Sequence, residues 1–198
     1  MNHQSSVVSR KFGRRAVFLD RDGTLIRQVE LMHSVAELHL LPGAARAIAE
    51  LNRLGFLVIV VTNQPVVARG LIGPKEVDAI HAVLIHRLRG KNAKIDGIYF
   101  CPHHPEATLS EYRLRCSCRK PEPGMILRGL KDFKIDPKKS FMVGDALIDV
   151  VSGKKAGLKT ILVKTGPGHA RLDEQYKNVK PDFMAKNLQQ AVQFIKNA

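Results

Sequence analysis

The sequence predicts an α/β fold, with a parallel β-sheet covered by helices on both faces. Three observations carry this reading. Short apolar runs are continuous rather than alternating in polarity, as strands buried on both faces must be. Segments of helical periodicity lie between them. The residues directly after the runs are polar or acidic, and parallel sheets place their chemistry at the carboxyl ends of their strands.

The elements follow in order. AVFL (16–19) reads as the first buried strand. Ala44–Leu54 carries a helical stripe of Ala45, Ile48, Leu51 and Leu54, and FLVIVV (56–61) is the second strand. Pro74–Arg89 carries Val77, Ile80, Leu84 and Leu88 on one face, with Gly73-Pro74 as its start and Gly90 as its stop. GIYF (97–100), FMV (141–143) and TILV (160–163) are further strands, and Leu188–Ile195 is a closing helix. Such alternation means a parallel sheet with helices on both sides. The 198 residues suffice for one core, so we read a single domain over 16–198 after a basic tail, 1–15, expected to be disordered.

Composition narrows the function. No apolar run approaches the ~20 residues of a membrane-spanning helix. Three cysteines make an odd count and a poor disulfide framework, which points to a reducing compartment, the cytoplasm. The acid-free start, MNHQSSVVSRKFGRR, is read as a basic tail rather than a targeting segment. A formal charge of +14 favours anionic partners. Outside the tail the basic residues are scattered along the chain with no aromatic RNA-binding motif, so a small phosphorylated metabolite is preferred over nucleic acid.

Three strand exits are polar: DRDGTL after the first, TNQ after the second and GDALID after 141–143. Asp20 and Asp22 are two apart, which in extended chain puts both carboxylates on one side. Crowded carboxylates repel unless a cation sits between them, and with Asp145 they make an oxygen site suited to Mg²⁺. Asp149, at the mouth of a helix, serves equally as a cap or as a ligand. Thr62 and its neighbours Asn63 and Gln64 could bind phosphate oxygens. Lys120, between Arg119 and Pro121, could supply a fixed positive charge.

Four motifs in order, DRDGT (20–24), VTNQ (61–64), RKP (119–121) and GDALID (144–149), resemble those of the haloacid dehalogenase superfamily of phosphohydrolases. Within it, TNQ…ARG (62–70), CPHHP (101–105), CSCRKPEPGM (116–125) and AGLKTILVKTG (156–166) are similar to the heptose-bisphosphate and histidinol phosphatases. The resemblance implies a Rossmann-like sheet with a minimal cap and a phosphomonoesterase acting on a small phosphorylated sugar. It implies Asp20 as nucleophile, Asp22 as acid and base, and Thr62 and Lys120 on the phosphoryl oxygens. Asn63, Gln64 and Arg119 would bind substrate. Asp20, Asp145 and the backbone carbonyl of Asp22 would hold Mg²⁺.

The only thiols of the chain lie in one polar loop, as Cys-x-His followed by Cys-x-Cys. Cys101, His103, Cys116 and Cys118 give a full tetrahedral shell for a structural Zn²⁺, with the family pattern selecting His103 over His104. The other histidines are expected at surface or half-buried positions. The sequence departs from the family at Ile26, where an Asn is usual, at Pro65-Val66, in place of Ser-Gly, and at Ala146, where a Lys is common. Two rival readings are a polynucleotide 3′-phosphatase and a zinc-stapled binding protein without catalysis. A monomer is expected.

Overall fold

The computed structural model describes residues 13–170 and 174–198. Its sheet is made of β1 (Ala16–Leu19), β2 (Leu57–Asn63), β3 (Gly97–Cys101), β4 (Phe141–Gly144), β5 (Lys159–Val163) and β6 (Phe183–Ala185). The order is β3-β2-β1-β4-β5-β6 and every neighbouring pair is parallel. The helices are α1 (Ala44–Arg53), α2 (Pro65–Ala68), α3 (Pro74–Arg89), α4 (Gly124–Phe133), α5 (Leu147–Lys155) and α6 (Leu188–Lys196).

The continuous apolar runs are explained by two cores. Val17, Leu19, Val58 and Val60 point to one face, against Ile48 and Leu51 of α1, Leu84 and Leu88 of α3, and Val192 of α6. Their alternates Ala16, Phe18, Ile59 and Val61 point to the other, against Met125 and Ile126 of α4 and Leu158 after α5. A strand with both faces buried has no polar face to show, hence no alternation. β6 was not expected. It has three residues, only one of them buried, and so leaves no apolar run to read.

The second strand extends two residues beyond its expected end because Thr62 and Asn63 pair with Phe100 and Cys101. Of the expected tail, residues 1–12 lie outside the described residues. Arg14 is held in place, bridging Ile135 through Arg14 N–H to the Lys134 carbonyl (3.1 Å) and Asp136 N–H to the Arg14 carbonyl (2.9 Å). No described helix is long and apolar enough to cross a membrane.

β1 and β4 are neighbours, and the strand order reverses between them. The crevice beyond their carboxyl ends is where such sheets bind ligands. Asp20 follows β1 and Asp145 follows β4, so both open onto it.

Candidate active site

Three carboxylates meet in this crevice. Asp20, Asp145 and Asp149 are all buried, and each offers an oxygen within 4.8 Å of the others. Lys120 stands among them, its Nζ donating to Asp20 Oδ1 (2.6 Å), Asp149 Oδ1 (2.6 Å) and the Val61 carbonyl (3.0 Å). Of the two readings left open for Asp149, the cap is present. Its Oδ2 accepts the Ala146 N–H (3.0 Å), capping α5, while Oδ1 holds Lys120. Asp145 Oδ2 accepts the Gly168 N–H at 2.9 Å. The backbone closes so tightly around Asp145 that a Cβ on Gly166 would lie 2.1 Å from Oδ2, so only glycine fits there.

The electrostatics ask for a cation. Burial pushes Asp20 up to about 8 against the pull of Lys120, with Asp149, Asp22 and Asp145 adding to the rise. Burial and then Asp149 push Asp145 up to about 6. Burial works against the Lys120 ammonium, but the two carboxylates it touches prevail and raise it above the ordinary lysine value. Three carboxylates against one ammonium leave two negative charges in a buried, oxygen-only donor set. A divalent hard cation such as Mg²⁺ fits that deficit.

The sequence reading grouped Asp22 with Asp20 and Asp145; the structure groups Asp149 with them instead. β1 ends at Leu19, and the next residues turn, with the Leu25 N–H returning to the Arg21 carbonyl (2.9 Å). The extended-chain argument therefore fails one residue too early. The Asp22 carboxylate is directed to Arg21, whose Nε (3.1 Å) and Nη2 (3.2 Å) both donate to it. Gln64 Nε2 donates to Asp22 Oδ2 (3.0 Å) and to Thr62 Oγ1 (2.8 Å), and Arg21 Nη2 donates to Gln64 Oε1 (2.8 Å). Asp22 still faces the same cavity as Asp20.

Arg21 is the residue that sequence reasoning passed over. It is 1% exposed, and its remaining nitrogen, Nη1, donates to His81 Nε2 at 3.0 Å. His81 was expected at a surface or half-buried position. It is 4% exposed instead, because α3 turns it inward to receive Arg21. Burial, and then the Arg21 charge, lower its pKa to about 3, so it is a neutral acceptor. The available signal was a cation placed between two aspartates, in a stretch that must be buried.

The amide of Asn63 serves the loop. Its Nδ2 donates to the Lys120 carbonyl (3.0 Å) and its Oδ1 accepts the Lys120 N–H (3.0 Å), clamping β2 to the lysine backbone. Arg119, next to it, donates Nη1 to the His103 carbonyl (2.9 Å) and its N–H to Cys116 Sγ (3.3 Å). The loop is closed by Cys101, His103, Cys116 and Cys118. Sulfur pairs lie 3.1–3.5 Å apart, and His103 Nδ1 lies 3.6 Å from Cys101 Sγ and 3.4 Å from Cys118 Sγ. These separations are far beyond a disulfide bond of about 2.05 Å. They are near the edge of about 3.8 Å that a tetrahedron of zinc–sulfur bonds has. The donor set, three soft sulfurs and one imidazole, fits Zn²⁺. His104 turns away, its Nδ1 accepting the Glu106 N–H at 3.0 Å.

Two cavities meet at the site. The inner, about 310 Å³, is lined by Asp20, Asp22, Thr62, Asn63, Lys120 and Asp145 among others. The outer, about 620 Å³, adds Arg69, His104 and Arg119, and shares Asp22, Gln28 and Asn63 with the first. The departures from the family pattern have structural roles. Ile26 is fully buried and bridges Leu40, making the segment after the first motif part of the core. Pro65 opens α2, whose Val66 and Val67 pack with Val77 of α3. Ala146 precedes α5 and leaves the capping to Asp149.

Comparison with known proteins gives the family. Residues 117–191 match a family model described as HAD-hydrolase-like. The chain is 42% identical to the D-glycero-beta-D-manno-heptose-1,7-bisphosphate 7-phosphatase of Pasteurella multocida, over 77% of this chain and 83% of that one. It is 39% identical to the enzyme of the same name from Escherichia coli K12, over 76% and 80%. Among solved structures, the D,D-heptose 1,7-bisphosphate phosphatase of B. bronchiseptica, complexed with magnesium and phosphate, superposes with a TM-score of 0.79. Its identity is 30%, over 93% of this chain and 99% of that one. With these motifs, this sheet and relatives of that identity along most of its length, the chain belongs to the heptose-1,7-bisphosphate 7-phosphatase family of HAD-like phosphoric monoester hydrolases.

Proposed function

We propose that the chain hydrolyses one phosphate ester of a small sugar bisphosphate of the heptose 1,7-bisphosphate kind, through a phosphoryl group carried on Asp20. The observation that carries this reading is Asp20 Oδ1, fixed on Lys120 at the switch point and facing the inner cavity. Asp20 attacks phosphorus, and the ester P–O bond breaks as the sugar oxygen takes a proton from Asp22. Asp22 then removes a proton from water, which attacks phosphorus and frees Asp20 with release of inorganic phosphate. Thr62 and Lys120 offset charge on the phosphoryl oxygens, where most of the catalysis of phosphoryl transfer resides.

Asp20, Asp145 and the backbone carbonyl of Asp22 would hold Mg²⁺, with Asp149 beside them. When bound, it supplies positive charge that keeps Asp20 ionised and offsets the phosphate. Cys101, His103, Cys116 and Cys118 would hold a structural Zn²⁺ that orders the Arg119–Lys120 segment. The outer cavity suits a second phosphate. Burial, and then Arg119 and Arg69, lower the pKa of His104, placing it beside two guanidinium groups at an anion-sized opening. Gln64 acts by holding Asp22, and Asn63 by holding Lys120. Three reduced thiols and exposed large hydrophobics limited to Leu71, Leu114, Leu127 and Met184 among the described residues support a cytoplasmic monomer.

The test is phosphate release from sugar mono- and bisphosphates, histidinol phosphate and 3′-phosphorylated DNA, with Mg²⁺ and with EDTA. Asp20→Asn is expected to abolish turnover with the fold intact. Activity kept within about tenfold of wild type, ~1.4 kcal/mol of barrier, would exclude Asp20 as nucleophile.

A further inference from the structure

The active site uses little of the +14 charge, since its own carboxylates outnumber its lysine. The basic residues looked scattered along the sequence, but the fold gathers them. All strands run parallel, so strand starts share one edge of the sheet, opposite the catalytic crevice.

Arg14 and Arg15 precede β1, Lys134, Lys138 and Lys139 lie between α4 and β4, and Lys159 opens β5; all six are exposed. Short bonds make them neighbours. Arg14 is bridged to Ile135, Ser140 Oγ accepts the Ala16 N–H (3.0 Å), and the Lys159 N–H donates to the Ser140 carbonyl (3.2 Å). Two of the cations are braced on aromatic rings. Arg15 Cζ lies 4.5 Å from the centre of the Phe56 ring and Lys159 Nζ lies 5.8 Å from that of Phe141. Those two rings are themselves in edge contact, with centroids 6.1 Å apart.

The segments that carry these six cations hold a single carboxylate, Asp136, which lies 3.7 Å from Lys139 Nζ and offsets that one charge of the six. Asp96 and Asp182, which precede β3 and β6, each carry a lysine of their own, Lys94 at 2.7 Å and Lys154 at 3.5 Å. Cations at helix carboxyl ends also complement the helix dipole, but Arg14, Arg15 and Lys159 end no helix.

We infer that this amino-end face is a binding surface for the phosphodiester backbone of duplex nucleic acid, without sequence preference. A bilayer is the weaker occupant. Stable membrane attachment by basic residues needs a second, apolar anchor. Among the described residues the exposed large hydrophobics lie elsewhere: Leu71 and Leu114 in loops, Leu127 in the first turn of α4, and Met184 inside β6. Nucleic acid asks only for cations at phosphate spacing, and affinity then comes from counterion release. Among the described residues this face exposes no aromatic side chain for stacking, so single strands gain nothing there over duplex.

The experiment is a titration of the full chain with a short labelled duplex DNA over a range of salt, with inorganic phosphate present to occupy the catalytic mouth. Binding is expected with Kd on the order of 1–100 µM at physiological salt. Five or six phosphate contacts give a slope of about −5 in log K against log salt. The variant Lys134→Gln/Lys138→Gln/Lys139→Gln should reduce that slope by about 3 and leave sugar-phosphate turnover unchanged. Wild-type binding weaker than this range, an unchanged slope in the variant, or binding confined to vesicles of anionic lipid would each overturn the inference. So would a variant that melts earlier yet binds DNA as before, since the lysines would then serve only the helix ends.

Discussion

Replacing Lys120 by Met tests the site most directly. The lysine is 4% exposed and touches two buried carboxylates at 2.6 Å each. Methionine preserves the stem and removes the only cation among Asp20, Asp145 and Asp149. Breaking a buried ion pair in this way costs about 3–5 kcal/mol, because the buried carboxyl groups lose the ammonium that they share. For a domain of this size each kcal/mol lowers Tm by about 2–4 °C, so a drop of roughly 6–20 °C is expected in EDTA. Mg²⁺ should recover part of it by supplying the lost charge.

The pH dependence has a definite sign. Asp20 already sits at about 8, above its ordinary 3.8, so between these values the folded metal-free protein holds a proton that the unfolded chain has lost. Stability therefore falls as pH rises through that window. Without Lys120 the carboxyl rises further and the window extends upward. Because the wild-type carboxyl is itself protonated in the fold up to about 8, this titration adds to the variant's deficit only as pH rises through that value. Denaturant unfolding in EDTA at several pH values, with and without Mg²⁺, measures this. A loss under ~1 kcal/mol at neutral pH, or a deficit that shrinks as pH rises, would refute the reasoning.

Further expectations concern the supporting residues and the metals. His81→Phe removes the acceptor of Arg21 and should let Asp22 drift, cutting kcat/KM roughly tenfold for an alkyl sugar phosphate, whose leaving group needs a proton. The same variant should leave kcat/KM for p-nitrophenyl phosphate nearly unchanged, and equal losses would mean a merely structural role. Apparent Mg²⁺ affinity should climb between about pH 6 and about 8, because Asp145 and Asp20 must shed protons to bind it; calorimetry showing no pH dependence there would sink the idea. Cys118→Ser should release zinc measured by elemental analysis and lower activity beyond rescue by Mg²⁺, since thiolate ligation is tied to loop order. Zinc-free wild-type protein with full activity would defeat it.

The buried strands were legible because burial on both faces erases alternation, and their polar exits pointed to Asp20, Thr62 and Asp145. What sequence could not supply was contact across distance. Arg21 and His81 are 60 positions apart, and nothing local marks a histidine on α3 as the floor of a site near β1. The Asp22 carboxylate turns to Arg21 for a local reason: side-chain parity holds only while the strand lasts, and β1 stops at Leu19. The basic face was invisible for a topological one. Lys134 and Lys159 become neighbours only when parallel strands bring their starts to one edge.

A structural metal on the cysteine loop, as proposed, would matter to a reaction it never touches. Cys116 Sγ accepts the Arg119 N–H at 3.3 Å, and the next residue is Lys120. Asn63 holds the Lys120 backbone from the other side through both of its amide atoms. From there Nζ reaches Asp20 at 2.6 Å. A polar loop with few apolar contacts has little of its own to resist the entropy of ordering. Tethered at four donors by the proposed zinc, it would present a lysine whose position is set by sulfur on one side and by β2 on the other. On that reading the three thiols stand together so that Lys120 arrives at Asp20 already oriented.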